Sequence, residues 1–148
     1  MKKQIALFLV ILLLVLSGCN FKVHQNTFNI PHGSVKSIEI QREYTAENGE
    51  SYYRCKVIDD EKQVEELCQL IREFPVKRAP GDVPNPMRAT SIIVILKGKT
   101  EHRLILNSEM AFYDKAAYNY EKESTFSDFI SLYEELNIEE VDTEAKPF

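Results

Sequence analysis

Residues 35–58 read VKSIEIQREYTAENGESYYRCKVI, and this stretch decides the fold. In an extended chain successive side chains point to opposite faces. Ile38, Ile40 and Tyr44 then share one face, with Ser37, Glu39, Gln41 and Glu43 on the other, which is the alternation of a half-buried strand. Arg42 falls on the apolar face, where an arginine sits at a sheet margin with its stem on the core and its head in water. Asn48-Gly49 is the preferred pair for a two-residue type I′ turn, because both positions need φ > 0. A turn centred there pairs residues whose numbers sum to 97: Tyr44 with Tyr53, Arg42 with Cys55, and Ile40 with Val57. Two of those three facing pairs are apolar on one face, as a hairpin with one buried side requires.

Working outward, Asp60 has the character of a helix N-cap, with Gln63 three residues on completing a capping-box variant. Val64, Leu67, Cys68 and Ile71 follow at helical spacing and predict one buried stripe. Pro75 disfavours helical geometry at Phe74 and ends the helix. Ser91–Lys97 contains the run Ile92-Ile93-Val94-Ile95-Leu96, a β-branched segment suited to a central strand with both faces covered. Gly98-Lys99 turns it into a strand over Arg103–Asn107, and two short tyrosine-rich strands follow around Phe112 and Tyr118–Tyr120. Thr125 with Asp128 opens a second helix whose inward residues are Phe129, Ile130, Leu132, Tyr133 and Leu136. The expected fold is therefore α+β. An antiparallel sheet of five to six strands, in the order ββα then βββ(β)α, carries two amphipathic helices on one face. The domain is expected over residues 35–138, followed by an acidic flexible tail at 139–148.

The two domain cysteines leave two outcomes open. From Cys55 the strand runs about 10 Å to Ile58, and the helix returns about 10 Å from Glu61 to Cys68. An antiparallel strand and helix would bring Cys55 and Cys68 level. A disulfide needs Cα atoms roughly 4.4–6.8 Å apart, which is tight for a helix over a sheet. Either a bridge or two buried thiols would satisfy the pattern.

The N-terminus carries a different kind of signal. Met1-Lys2-Lys3 is a short basic segment, and Ile5–Leu16 is an unbroken run of 12 apolar residues. Crossing a bilayer takes roughly 17–25 such residues, so the run has the length of a signal-peptide core instead. It ends in Leu16-Ser17-Gly18-Cys19, which resembles the lipobox of bacterial lipoproteins. The resemblance covers residues 1–19. It implies a cleaved signal peptide at 1–18 and a diacylglyceryl group on the Cys19 sulfur; the Asn, His, Pro31 and Gly33 that follow make residues 19–34 a lipidated tether, and the alternation of Phe28 and Ile30 allows the domain to begin near them. The resemblance also implies a protein held on the extracytoplasmic face of the bacterial cell membrane. Two acyl chains anchor stably where one gives only marginal binding.

Charge and motifs narrow the function classes. The chain holds 18 Lys+Arg against 23 Asp+Glu, for a net charge of −5. Lys2 and Lys3 lie in the signal segment, so the remainder is more acidic still. That balance argues against nucleic acid as a partner, since phosphate backbones are bound by clustered cations. Lys97-Gly98-Lys99-Thr100 lacks the earlier glycine of a phosphate-binding loop, Ile93 standing in its place, and it precedes a strand. No metalloprotease, serine-hydrolase or lactamase signature is present in the sequence,. His24, His32 and His102 are not spaced as metal ligands. His102 shares a strand face with Leu104 and Leu106, which favours a structural role. No metal or cofactor is expected.

The long connection 75–90 holds Pro75, Pro80, Pro84 and Pro86. Long loops of this kind are usually functional or disordered. It bears Lys77, Arg78 and Arg88 against Asp82 alone, a basic stretch in an acidic protein, which reads either as a stiff, solvated connection between the first helix and the central strand or as the contact for an envelope protein or wall polymer. The sequence thus points to a lipid-anchored, non-catalytic binding module. The alternative is a membrane-tethered hydrolase or thiol enzyme assembled from scattered residues, which a close, solvent-open contact of His102 with a cysteine or a carboxylate would support.

Overall fold

A computed structural model of the protein describes residues 28–80 and 91–146. The elements are β1 (Val35–Thr45), β2 (Ser51–Ile58), α1 (Glu61–Arg72), β3 (Val76–Arg78), β4 (Ser91–Gly98), β5 (His102–Asn107), β6 (Met110–Tyr113), β7 (Ala116–Tyr120), α2 (Thr125–Glu135) and β8 (Val141–Thr143). All eight strands join one open antiparallel sheet in the order β3-β7-β6-β5-β4-β1-β2-β8. The mixed class matches the expectation, with eight strands in place of five to six. The two additions, β3 and β8, are the outermost strands, of three residues each. Strands that short carry no readable alternation.

Helix α1 begins as the sequence dictates. Asp60 accepts a hydrogen bond from the Gln63 backbone N–H at 2.9 Å, and Val64, Leu67, Cys68 and Ile71 are its buried stripe. Helix α2 buries Thr125, Phe129 and Tyr133, while Ile130, Leu132 and Leu136 pack at the margin. Its N-cap is Ser124, one residue before the expected Thr125, and Ser124 Oγ donates to Asp128 Oδ2 at 3.0 Å. The buried stripes of both helices join one cluster with Ile38, Ile40, Ile92, Val94, Leu96, Leu104 and Leu106. A second, smaller cluster of Ile93, Ile95, Ile105, Phe112 and Ala117 occupies the opposite face of the sheet. Strand β4 is thus buried on both sides from Ser91 to Leu96, as its continuous apolar run predicts.

The first hairpin differs from the expected register by one residue. Tyr44 faces Tyr52, Arg42 faces Arg54, and Ile40 faces Lys56. The cause is the turn. Ala46 N–H donates to Glu50 O at 2.8 Å and Gly49 N–H to Ala46 O at 2.9 Å, which closes a loop of three residues, Glu47, Asn48 and Gly49. Gly49 alone takes the left-handed conformation, at φ 84°. Asn48 instead uses its Oδ1 to accept the Glu50 N–H at 3.0 Å. A three-residue loop closed by a left-handed glycine is the next most common hairpin after the two-residue kind.

One residue of slip exchanges the faces of β2. Val57 turns outward and is 45 % exposed, while Lys56 and Ile58 come to the helix side. The buried lysine has a use there: its Nζ donates to Tyr133 O at 2.8 Å and Leu136 O at 2.7 Å. The Tyr133 carbonyl lies in the last turn of α2, beyond which no intrahelical N–H remains to satisfy it, and a cation suits the negative end of a helix.

Two boundaries also move. Phe28 and Ile30 are buried in the main cluster, so the expected tether at 19–34 already belongs to the domain from Phe28 onward. Residues 139–148 are not a flexible tail throughout, since β8 pairs with β2 and Arg54 forms ion pairs with Glu140 at 3.0 Å and Asp142 at 3.4 Å. Opposite charge in a strand some 85 positions earlier fixes a segment whose composition reads as solvated. At the other end of β1, a Cβ on Gly98 would lie 2.0 Å from the Ser34 carbonyl oxygen. This close approach beside the bulge between Val35 and Ser37 admits only glycine.

Candidate functional site

The basic residues of the 75–90 connection are divided. Lys77 and Arg78 are exposed on edge strand β3, facing Asn119 and Tyr118 of β7, and buried Val76 anchors the strand. Part of the expected structureless loop is therefore sheet. The pairing continues through Ala79 N–H to Ala117 O at 2.9 Å and Glu121 N–H to Pro75 O at 2.8 Å. Lys77 and Arg78 straddle the edge, one on each face, because adjacent strand residues alternate. Arg88 lies outside the described residues, as does Cys19.

Cys55 and Cys68 are free and buried. The register explains why: Cys55 faces Gln41, which faces Ile93 of the second cluster, whereas Cys68 belongs to the helix-side core. They stand on opposite faces of the sheet. Burial raises both thiols above their ordinary pKa, reinforced at Cys55 by the nearby Glu39 carboxylate. Buried protonated thiols are poor nucleophiles.

The face opposite the helices holds a buried carboxylate. Glu39 is 4 % exposed and accepts from Lys97 Nζ at 2.5 Å, Lys146 Nζ at 2.9 Å and Gln41 Nε2 at 2.8 Å. Gln41 Nε2 also donates to Glu144 O at 3.2 Å, and Gln41 Oε1 accepts from Lys146 N–H at 3.0 Å. These bonds fasten residues 144–146 across the second cluster, on which Ala145 packs. Desolvation pushes the Glu39 pKa up, but the hydrogen bonds from Lys97, Lys146 and Gln41 outweigh it and hold the pKa at about 2.

The most chemically suggestive contact lies at the β5–β6 margin. His102 Nδ1 and Asp114 Oδ2 are 2.5 Å apart, and Asp114 Oδ1 accepts the Arg103 backbone N–H at 2.9 Å. The His102 ring stacks on Tyr113 at 5.8 Å, whose hydroxyl donates to Asn29 O at 3.0 Å. Asp114 and Lys115 form the β6–β7 turn at φ 45° and 72°, a conformation that costs a non-glycine residue roughly 1–2 kcal/mol. Glu101, Arg103, Asp114 and Lys115 line an open cleft of about 310 Å³ beside them. A carboxylate on one ring nitrogen fixes the imidazole tautomer and orientation, which is half of a general-base arrangement. The other half is a group for the base to activate. Among the described residues no hydroxyl or thiol is hydrogen-bonded to His102.

The sequence marks His102 but not Asp114, which is brought to it only by the pairing of β5 with β6. Neither does it mark Glu39, whose lysine partners come from β4 and the C-terminal segment. Among the described residues no cluster of three or more His, Cys, Asp or Glu side chains could hold a metal ion, and no helix is long and apolar enough to cross a membrane. No protein-family model, curated protein or solved structure matches this chain.

Proposed function

We propose that the protein is a lipoprotein of the bacterial cell membrane, anchored through Cys19, whose extracytoplasmic α+β domain is a non-catalytic binding module. The observation that carries the anchoring is Leu16-Ser17-Gly18-Cys19 behind a 12-residue apolar run. The binding role is supported by how the domain uses its polar groups. Lys56 caps α2, Glu39 fastens the C-terminal segment, and Arg42 pairs with Glu134 at 2.8 Å over the Tyr44 ring. These are architectural uses, whereas Lys77 and Arg78 project from an edge.

The partner is an envelope protein or wall polymer with acidic or polar groups facing that edge. It is to be identified by crosslinking on intact cells. Replacing Lys77, Arg78 and Arg88 together with Ser is expected to leave the melting temperature nearly unchanged, since Lys77 and Arg78 are exposed and exposed charges contribute only about 0–1 kcal/mol. The same change should weaken capture of the crosslinked partner, most at low salt, where screening is least. Unchanged capture at every salt concentration would assign these residues to architecture.

The His102–Asp114 pair favours the alternative, a membrane-tethered hydrolase. Under the binding reading, His102→Gln leaves partner capture unchanged and removes no turnover. An ester- or amide-hydrolysing activity of the wild type that His102→Gln abolishes would replace the binding reading with the enzymatic one.

A further inference from the structure

Among the described residues the sheet ends in two uncovered edges, and these carry opposite charge. Strand β3 presents Lys77 and Arg78. Strand β8 presents Asp142, 90 % exposed, within the stretch Glu139-Glu140-Val141-Asp142-Thr143-Glu144. We propose that a second copy of this chain docks edge to edge, β8 of one copy adding to β3 of the next. The proposal concerns the same basic edge as the binding reading and names a partner for it.

Strand direction permits this. Every neighbouring pair in the sheet is antiparallel, and with eight strands the two outermost run in opposite directions. A copy that continues the sheet in the same orientation therefore meets β8 with an antiparallel β3. Its helix-bearing face stays on the same side.

Side-chain parity then limits the register, because directly opposed residues must share a face. Asp142 faces Arg54, which faces Arg42 and then Ile92 of the helix-side core. Arg78 faces Tyr118, also of that core. Setting Asp142 opposite Arg78 satisfies parity and pairs opposite charges. It also sets Val141, 50 % exposed, opposite Ala79, and Thr143 opposite Lys77, on the other face.

Charged edges normally guard a sheet against indiscriminate pairing. Here they do so selectively. Two β3 edges would oppose cation to cation and two β8 edges acid to acid, so the head-to-tail pairing is the one that gains. Such a heterologous contact can repeat from copy to copy.

Sedimentation of the full chain in a nonionic detergent, at low salt and rising concentration, tests this. The wild type is expected to associate reversibly. Arg78→Glu and Asp142→Arg should each weaken association at least tenfold, and the double variant, which restores opposite charges in the same register, should recover it. Arg78 is an exposed position, so Arg78→Glu reports on docking even where Asp142→Arg disturbs β8 beside Arg54. A wild type that is monomeric at every concentration, or association that Arg78→Glu leaves intact, overturns the proposal. Salt-sensitive capture of another envelope component by a chain that stays monomeric would overturn only this inference and leave the binding reading standing.

Discussion

Cys19→Ala is expected to move the protein from the membrane fraction to the medium or the soluble periplasm, and to remove the mass added by acylation. On the proposed diacyl anchoring the effect should be nearly complete. Burial of acyl methylenes contributes about 0.8 kcal/mol each, so two chains hold a protein where none leaves it soluble. Among the described residues no helix is long and apolar enough to cross a bilayer. The fold should be untouched, because Cys19 lies nine positions before Phe28, the first core residue among those described. Fractionation and intact-mass measurement of wild type and variant check the result. Equal membrane retention of the variant, with no acyl mass on the wild type, would end the lipoprotein reading.

Glu39 should dominate the acid sensitivity of the domain. Its carboxylate is held at about 2 in the folded state against an ordinary value of 4.5. A depressed folded pKa means that the folded state favours the charged form. That stabilisation is complete above about pH 4.5 and is lost as pH falls from there toward 2. A full shift of this size, from 4.5 to about 2, at roughly 1.4 kcal/mol per unit would come to between about 3 and 4 kcal/mol. Lys97 and Lys146 are 42 % and 45 % exposed, so solvent screening reduces the figure to on the order of 2 kcal/mol. Glu39→Gln is therefore expected to melt on the order of 10 °C lower at pH 7. Its melting temperature should fall less steeply than the wild type's between pH 4.5 and 2, so that the two converge. Protection of residues 144–146 from hydrogen exchange should fall in the variant, since Lys146 loses its carboxylate partner. A wild-type melting temperature at pH 7, or a parallel acid slope, would show that the buried carboxylate contributes nothing net.

What the sequence could and could not say divides by the range of the interactions involved. Helix α1 is legible from Asp60 to Ile71 because its cap and its stripe are written within a dozen neighbouring residues. Strand β4 is legible because six consecutive buried positions from Ser91 to Leu96 leave a continuous apolar run. The same holds for the order of the six longer strands, each a local pattern. His102 was visible as a residue, but its relation to Asp114 depends on how β5 and β6 align across a turn.

The hairpin register could not be read from Asn48-Gly49 alone. Two-residue and three-residue loops both accept that pair, and one residue of difference decides whether Val57 or Lys56 faces the helices. Tertiary structure chose between them. Lys56 meets the carbonyls of Tyr133 and Leu136 only when α2 lies over β2, and the same choice put Cys55 and Cys68 on opposite faces. The edge strands were decided likewise. Three residues carry no period; β8 is held by Arg54, and the segment after it by Glu39 and Gln41, all from strands far earlier in the chain. Local periodicity and capping fix which segments become helix or strand. Register, edges and the partners of buried charges are set by contacts that exist only once distant segments have packed.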